Sequence, residues 1–142
     1  MVEKTQQLII DAAFAEFAYH GFQKTTLKDI AAHAGVSRPT VYSFFENKEQ
    51  IFRSVAIDIH EKGLREAGAL LKDPSLGDVT DAISGALYAR HGKFLHIVLE
   101  TKGGAEMEDE HGLLCGDVVV STQKTFNDQL ARYINMAEAA EL

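Results

Sequence analysis

The chain has 142 residues, of which 46% are hydrophobic and 25% charged, so its composition excludes a disordered or collagen-like protein. The single cysteine, Cys115, excludes an internal disulfide. No apolar run approaches the roughly 18 residues that a membrane-spanning helix needs. The start MVEKTQQ lacks the basic flank and apolar block of a signal peptide. We therefore expect a cytoplasmic protein that does not enter a membrane.

The net charge of −7 argues at first against a nucleic-acid partner. The distribution of charge weakens that objection, because residues 1–53 hold six basic and six acidic side chains and the excess of acids lies entirely in the remainder. A neutral first third attached to an acidic body is compatible with DNA contact confined to one end.

Two helices are predicted at the start of the chain. The first carries an apolar stripe at three- and four-residue spacing and is expected to end at Gly21, with Phe22 folding back onto its last turn. The second begins after Thr26, whose hydroxyl caps the free amides while Asp29 reaches back to the cap. Gly35 ends it. The aromatic residues expected in the core are Phe14, Phe17, Phe45 and Phe52.

The third predicted helix is short and polar. Ser37 caps it, and Pro39 lies in the first turn, where the missing N–H is tolerated. Only Gly35-Val36-Ser37 separates helices two and three, so they must cross steeply as a helix-turn-helix, with Val36 beneath the bend. A fourth helix follows, capped by Asn47 with Gln50 in the capping-box position.

The rest of the chain is also predicted to be helical. Helix four extends to about Lys72, and Pro74 marks a break. A fifth helix starts near Val79 and ends near Gly92, and the apolar run 94–99 favours a buried sixth helix over a strand. Residues 101–112 read as an acidic, glycine-containing loop, and a last helix spans roughly 114–139. The predicted fold class is all-α.

The segment that runs from "YHGF" through "TTLKDIAAHAGVSRPTVYSFFENKEQIF" resembles the DNA-binding domain of TetR-type transcriptional regulators over about residues 5–55. The resemblance rests on the paired threonines at 25 and 26, "IA" at 30–31, "AGVS" at 34–37, Tyr42, Phe45 and "NKE" at 47–49. Phe44 departs from the pattern, because family members often place there a group that reaches the DNA backbone. Residues 56–142 are similar to the family only in being helical.

The resemblance implies a helix-turn-helix DNA-binding domain over residues 1–47, joined through helix four to a helical ligand-binding and dimerisation domain over 48–142. It further implies a homodimer that binds a near-palindromic operator in double-stranded DNA. Such a protein represses transcription until a small-molecule effector releases it, and it needs no cofactor and no metal. The second domain is shorter than usual, because family members normally add two helices after the seventh to build the dimer interface.

The helix-turn-helix arrangement implied by the resemblance assigns DNA contacts to ten residues. Phosphate contacts are expected near the starts of helices two and four, and base reading from the exposed first turns of helix three. Ser37 and Thr26 are also fully explained as helix caps. The predicted phosphate contacts are Thr25, Thr26, Lys28, Tyr42 and Lys48, and the predicted contacts in helix three are Ser37, Arg38, Pro39, Thr40 and Ser43.

Four alternatives stay open from the sequence. A small all-α enzyme is disfavoured, since no glycine-rich phosphate loop, nucleophile elbow or HExxH motif is present. A truncated regulator would act only through a partner chain. Six histidines invite a metal site, but His111 and Cys115 beside an acidic segment are better explained as a flexible loop. Tyr88, His91, His96 and Glu100 either line a small-molecule cavity or flank a turn at Gly92.

Overall fold

The computed structural model describes residues 2–142, and the described residues form eight α-helices and no β-strand. This architecture confirms the all-α prediction. The helices are α1 (Val2–His20), α2 (Leu27–Ala34), α3 (Arg38–Phe44), α4 (Lys48–Leu70), α5 (Val79–Leu87), α6 (Lys93–Glu100), α7 (Gly104–Leu114) and α8 (Gly116–Ala139).

The end of α1 is closed by Gly21, as the sequence predicts. Gly21 has φ +84°, and its N–H donates to the carbonyl oxygen of Phe17 at 2.9 Å. Phe22 then folds back, so that its ring centroid lies 5.7 Å from that of Phe17 and 5.5 Å from that of Phe52. These three buried rings tie α1 to α4. Phe14 is only half-buried, so it contributes less to the core than predicted.

The bend between α2 and α3 also has the predicted geometry. Gly35 is left-handed with φ +73°, and its N–H and that of Val36 donate to the last-turn carbonyls of α2. This is a Schellman closure, which requires a left-handed residue at its centre. Ser37 then caps α3 by accepting from the Thr40 N–H at 3.2 Å.

The start of α4 carries a modified capping box. Asn47 Oδ1 accepts from the Gln50 N–H at 2.8 Å, as predicted. The Gln50 side chain reaches one residue further back than a standard box and accepts from the Glu46 N–H at 2.6 Å. Two donors that the helix start leaves free are thereby satisfied.

Two compact units are present along the chain. One holds the residues up to Ile57 together with Ile97–Gly116, and the other holds Asp58–His96 and Asp117–Leu142. In the first unit, the Gly103 N–H donates to the Ala18 carbonyl oxygen at 2.7 Å, which satisfies the end of α1. The prediction of a domain boundary at residue 47 is not tested by this division and stays a prediction.

Three expectations for the second half of the chain are wrong. The sixth helix is not buried, because α6 has no buried residue and Leu99 is 71% exposed. Residues 101–112 are not a loop, because Gly104–Leu114 form α7, with Met107 buried. The helix that begins at Val79 does not stop near Gly92 either. It continues through a wide π turn, Tyr88–Gly92, directly into α6.

The second unit has its own apolar core. Its buried members come from α4, α5, the π turn and α8, and they are Ala67, Leu71, Ala86, Ala89, Phe126 and Tyr133. The small residues let the helices approach closely. At Gly63 in α4, a Cβ would lie 2.7 Å from the Ala89 carbonyl oxygen, so a side chain does not fit there. Within residues 2–142, no helix has the length and apolar character needed to cross a bilayer.

The bend at Gly35 gives the first testable prediction. A Cβ at Gly35 would meet no atom within 4 Å, so Gly35→Ala suffers from the left-handed backbone alone. We expect a loss of about 1–2 kcal/mol of unfolding free energy in urea titrations. Gly112→Ala is the matched control, because Gly112 lies in α7 with equally open space, and there alanine should stabilise by about 0.5–1 kcal/mol. Equal effects of the two substitutions would contradict the assigned bend.

Candidate DNA interface

The outer face of α3 is polar and exposed, while its inner face is buried. Val41 and Phe45 are 1% and 3% exposed and hold the helix to the first unit. Arg38, Pro39 and Ser43 are exposed, as is Tyr42. Because these four positions follow i, i+1, i+4 and i+5 spacing, they form one continuous face of the short helix.

The hydroxyl groups at the start of α3 have partners within the helix and its cap. Ser37 Oγ lies 2.8 Å from Thr40 Oγ1, and the Ser43 hydroxyl donates to the Thr40 carbonyl oxygen at 2.6 Å. Thr40 itself is only half-exposed. The Ser43 proton is therefore engaged within the helix, and its oxygen is left as an acceptor for an outside donor.

The start of α2 has the predicted capping box. The Asp29 N–H donates to Thr26 Oγ1 at 3.1 Å, and the Thr26 N–H donates to Asp29 Oδ2 at 3.1 Å. Hydrogen bonds from the Thr26 side chain and backbone lower the pKa of the Asp29 carboxyl group below its ordinary value. The stabilisation by this box is therefore present above about pH 4 and is lost as pH falls through the lowered pKa. Lys28, next to Asp29, is exposed.

The predicted phosphate contact by the Thr25 side chain is wrong in this structure. Thr25 is 1% exposed, and its hydroxyl donates to the Gly21 carbonyl oxygen at 2.7 Å and to that of Glu16 at 3.2 Å. Its hydroxyl therefore closes the turn between α1 and α2 and does not face solvent. The paired threonines have different tasks: Thr25 locks the turn, and Thr26 caps the helix.

Lys48 also has a structural partner that the sequence did not indicate. Its ammonium group donates to the Phe22 carbonyl oxygen at 2.7 Å and lies 4.3 Å from the centre of the Phe22 ring. The half-buried Lys48 thus joins the start of α4 to the turn after α1. At least part of the donor capacity predicted for phosphate is used inside the protein.

Sequence reasoning missed a second group that contacts the same turn. Glu106 Oε1, in the first turn of α7, accepts from the Gln23 N–H at 2.5 Å. The turn after α1 is therefore held by Lys48 through a carbonyl and by Glu106 through an amide. A small groove of about 250 Å³ opens beside it, lined by Tyr19, His20, Lys24, Lys102, Gly103 and Glu106. A helical spacing of Met107, His111 and Leu114 was the available signal for α7.

The described residues do not form the metal site that the sequence raised as an alternative. Among the described residues, no three His, Cys, Asp or Glu side chains converge as a metal site requires. Cys115 is buried. Tyr88, His91, His96 and Glu100 are all exposed.

A three-helix unit with a left-handed bend and an outward polar third helix has the arrangement of a helix-turn-helix domain. Residues 9–55 match the family described as "Bacterial regulatory proteins, tetR family". This match confirms, for the helix-turn-helix segment, the resemblance to TetR-type regulators drawn from the sequence.

One relative of known name matches the same part of the chain. The probable acrEF/envCD operon repressor of Escherichia coli K12 is 48% identical over 63 residues, which are 44% of this chain and 28% of that protein. The aligned segment thus spans less than a third of that relative's length.

Two solved structures share the fold. A TetR family regulator from Marinobacter aquaeolei VT8 superposes with a TM-score of 0.68 at 17% identity, over 97% of this chain and 70% of the other. SmeT, the repressor of the Stenotrophomonas maltophilia multidrug efflux pump SmeDEF, superposes with a TM-score of 0.60 at 24% identity, over 94% of this chain and 63% of the other.

The contact between Lys48 and Phe22 gives a second testable prediction. Lys48→Met keeps the stem but removes the ammonium group that holds the Phe22 carbonyl, and we expect it to lower the unfolding free energy by about 1–2 kcal/mol. Lys28→Met is the matched control, because Lys28 is exposed in the first turn of α2. Its unfolding free energy should change by less than about 0.5 kcal/mol. Equal stability of the two variants in urea titrations would refute a structural role for Lys48.

Proposed function

We propose that the protein is a sequence-specific, DNA-binding transcriptional regulator. It acts in the cytoplasm as a homodimer that represses transcription from a near-palindromic operator and is released by a small-molecule effector. The observation that carries this proposal is the exposed polar face of α3, which projects from a buried base of Val41 and Phe45. A short helix held in this way can enter the major groove with its first turns against base edges.

The remaining parts of the first unit supply the phosphate contacts of the proposal. Thr26 and Lys28 lie at the start of α2, where free amides and the helix dipole favour an anion. Tyr42 is 49% exposed on the α3 face and presents a phenol to the backbone. The revised set of DNA contacts is Thr26, Lys28, Ser37, Arg38, Pro39, Thr40, Tyr42 and Ser43, with Lys48 in a reduced role.

Repression and release are inferred from relatives and from the course of α4. The Escherichia coli relative is named a probable operon repressor, and SmeT is described in complex with triclosan. Helix α4 begins in the first unit and ends in the second. An effector that prefers one packing of the second unit can therefore change the position of the DNA-reading unit at the other end of this helix.

A regulator that functions only with a different partner chain is the second candidate. The family match covers residues 9–55 of the first unit, and the proposal assigns dimerisation to the rest of the chain. The molar mass of the purified protein in solution separates the two: a homodimer has twice the mass of the chain, and a partner-dependent regulator does not.

The proposed function is tested most broadly by selecting bound sequences from a random pool of duplex DNA. We expect an inverted repeat with half-sites about one helical turn apart, because a two-fold dimer places its two α3 helices in successive major grooves. Recovery of no preferred sequence at low ionic strength would refute the proposal.

Arg38 provides a sharper test by mutation. Arg38→Ala removes a fork that can hold two acceptors of guanine, so we expect a loss of about 1–3 kcal/mol of operator binding and weaker discrimination at one base pair of each half-site. Fluorescence anisotropy with the selected duplex and its single-base variants measures both effects. Arg65→Ala, at an exposed position of α4, is the matched control and should bind as the parent does.

A further inference from the structure

The second unit contains a buried cation with unusual partners. Arg90 lies in the π turn between α5 and α6 and is 7% exposed. Its guanidinium group donates to three neutral acceptors, which are His60 Nδ1 at 3.3 Å, Thr122 Oγ1 at 3.2 Å and Gln123 Oε1 at 3.3 Å. All three distances are at the long end of the range for hydrogen bonds. None of the partners carries a negative charge.

This arrangement is energetically costly. A buried charge normally has a counter-ion, because neutral dipoles replace only part of the hydration that burial removes. Among the described residues, Arg90 Nε is one of two buried side-chain atoms without a hydrogen-bond partner, and the other is Gln129 Oε1 on α8. Burial lowers the pKa of Arg90, and partial burial together with the Arg90 charge lowers that of His91.

The residues around Arg90 indicate which class of ligand would bind there. Since a guanidinium group can only donate, the Nδ1 of His60 is the acceptor in this contact. The nearby core is apolar, and the His91 ring meets Phe126 edge-on at 5.8 Å. A π turn in an otherwise regular helix is frequently found at a functional site.

A groove on the surface of α8 shares one residue with this cluster. We call it the α8 groove, and it is about 490 Å³ and lined by Val119, Val120, Gln123, Lys124, Asn127 and Asp128. Gln123 belongs both to the groove and to the hydrogen bonds of Arg90. Rotation of this half-exposed amide would open Arg90 to a molecule lying in the groove.

We propose that Arg90 anchors the effector, and that the effector is a small apolar molecule with one anionic oxygen-acid group, such as a carboxylate. The anion would pair with the Nε and NH2 edge of the guanidinium group and replace the long bond to Gln123. An apolar body suits Val119 and Val120 of the α8 groove, and a dianion would be too costly to desolvate beside them. This inference rests on the proposed function, because it names the ligand class of the effector-responsive unit.

The experiment uses the full chain with benzoate as the probe and benzamide as its neutral counterpart, measured by isothermal titration calorimetry. For the parent protein we expect saturable benzoate binding below about 10 mM and benzamide binding at least about tenfold weaker. Arg90→Met should reduce benzoate binding to the level of benzamide. Arg132→Met is the matched control, since Arg132 is exposed on the same helix that carries Thr122, and it should bind as the parent does.

If circular dichroism shows that Arg90→Met is unfolded, Arg90→Lys takes its place in the test. The lysine retains the charge without the fork, so it should keep the preference for benzoate over benzamide with weaker affinity. The proposal is overturned if the parent binds benzoate and benzamide equally, if it binds no benzoate at about 10 mM, or if Arg90→Met binds benzoate as the parent does.

A parallel measurement separates this proposal from the function on which it rests. Fluorescence anisotropy with the selected duplex reports DNA binding, and benzoate should release the duplex from the parent but not from Arg90→Met. A protein that binds benzoate through Arg90 but binds no duplex would support the anion site and refute the proposed function. Duplex binding that benzoate never changes, despite calorimetric binding at Arg90, would refute the assignment of this site to the effector.

Discussion

The structure of the first unit depends on one constraint, which is that α3 must bury Val41 and Phe45 and still turn its polar side outward. The helix has only seven residues, too few to be stable alone. Its position is therefore imposed from outside, by the left-handed bend at Gly35 on one side and by the capped start of α4 on the other. The exposed arginine, proline and tyrosine face outward because the bend, the cap and the two buried side chains determine which side of the helix packs inward.

The elements of this frame could be predicted because their signals are local. A capping box joins residues three positions apart, and a Schellman closure requires a left-handed residue that glycine provides most easily, so Thr26, Asp29 and Gly35 are readable without the fold. The TetR resemblance added the arrangement of the helices. The structural role of Thr25 could not be predicted from the sequence, since its hydroxyl has partners in the turn and at Glu16, nine residues away.

Contacts between distant segments could not be predicted from the sequence. Lys48 meets Phe22 across 26 residues, and Glu106 meets Gln23 across 83. Composition also misled where it opposed packing: the glycines and acids of residues 101–112 resemble a loop, yet they form α7, because Gly103 and Met107 are held against α1 and the first unit's core. The π turn at Arg90 has no sequence signal known to us, and it contains Ala89, whose carbonyl oxygen packs against Gly63 of α4.

The central claim is that the outer face of α3 enters the major groove. It is tested most directly by a ¹H–¹⁵N NMR titration of the protein with its selected duplex at low ionic strength. The account predicts that the largest changes in amide shifts fall on residues 26–28 and 38–43, while the π turn and α5 change little. Changes concentrated on the second unit, with α3 unaffected by saturating duplex, would contradict it.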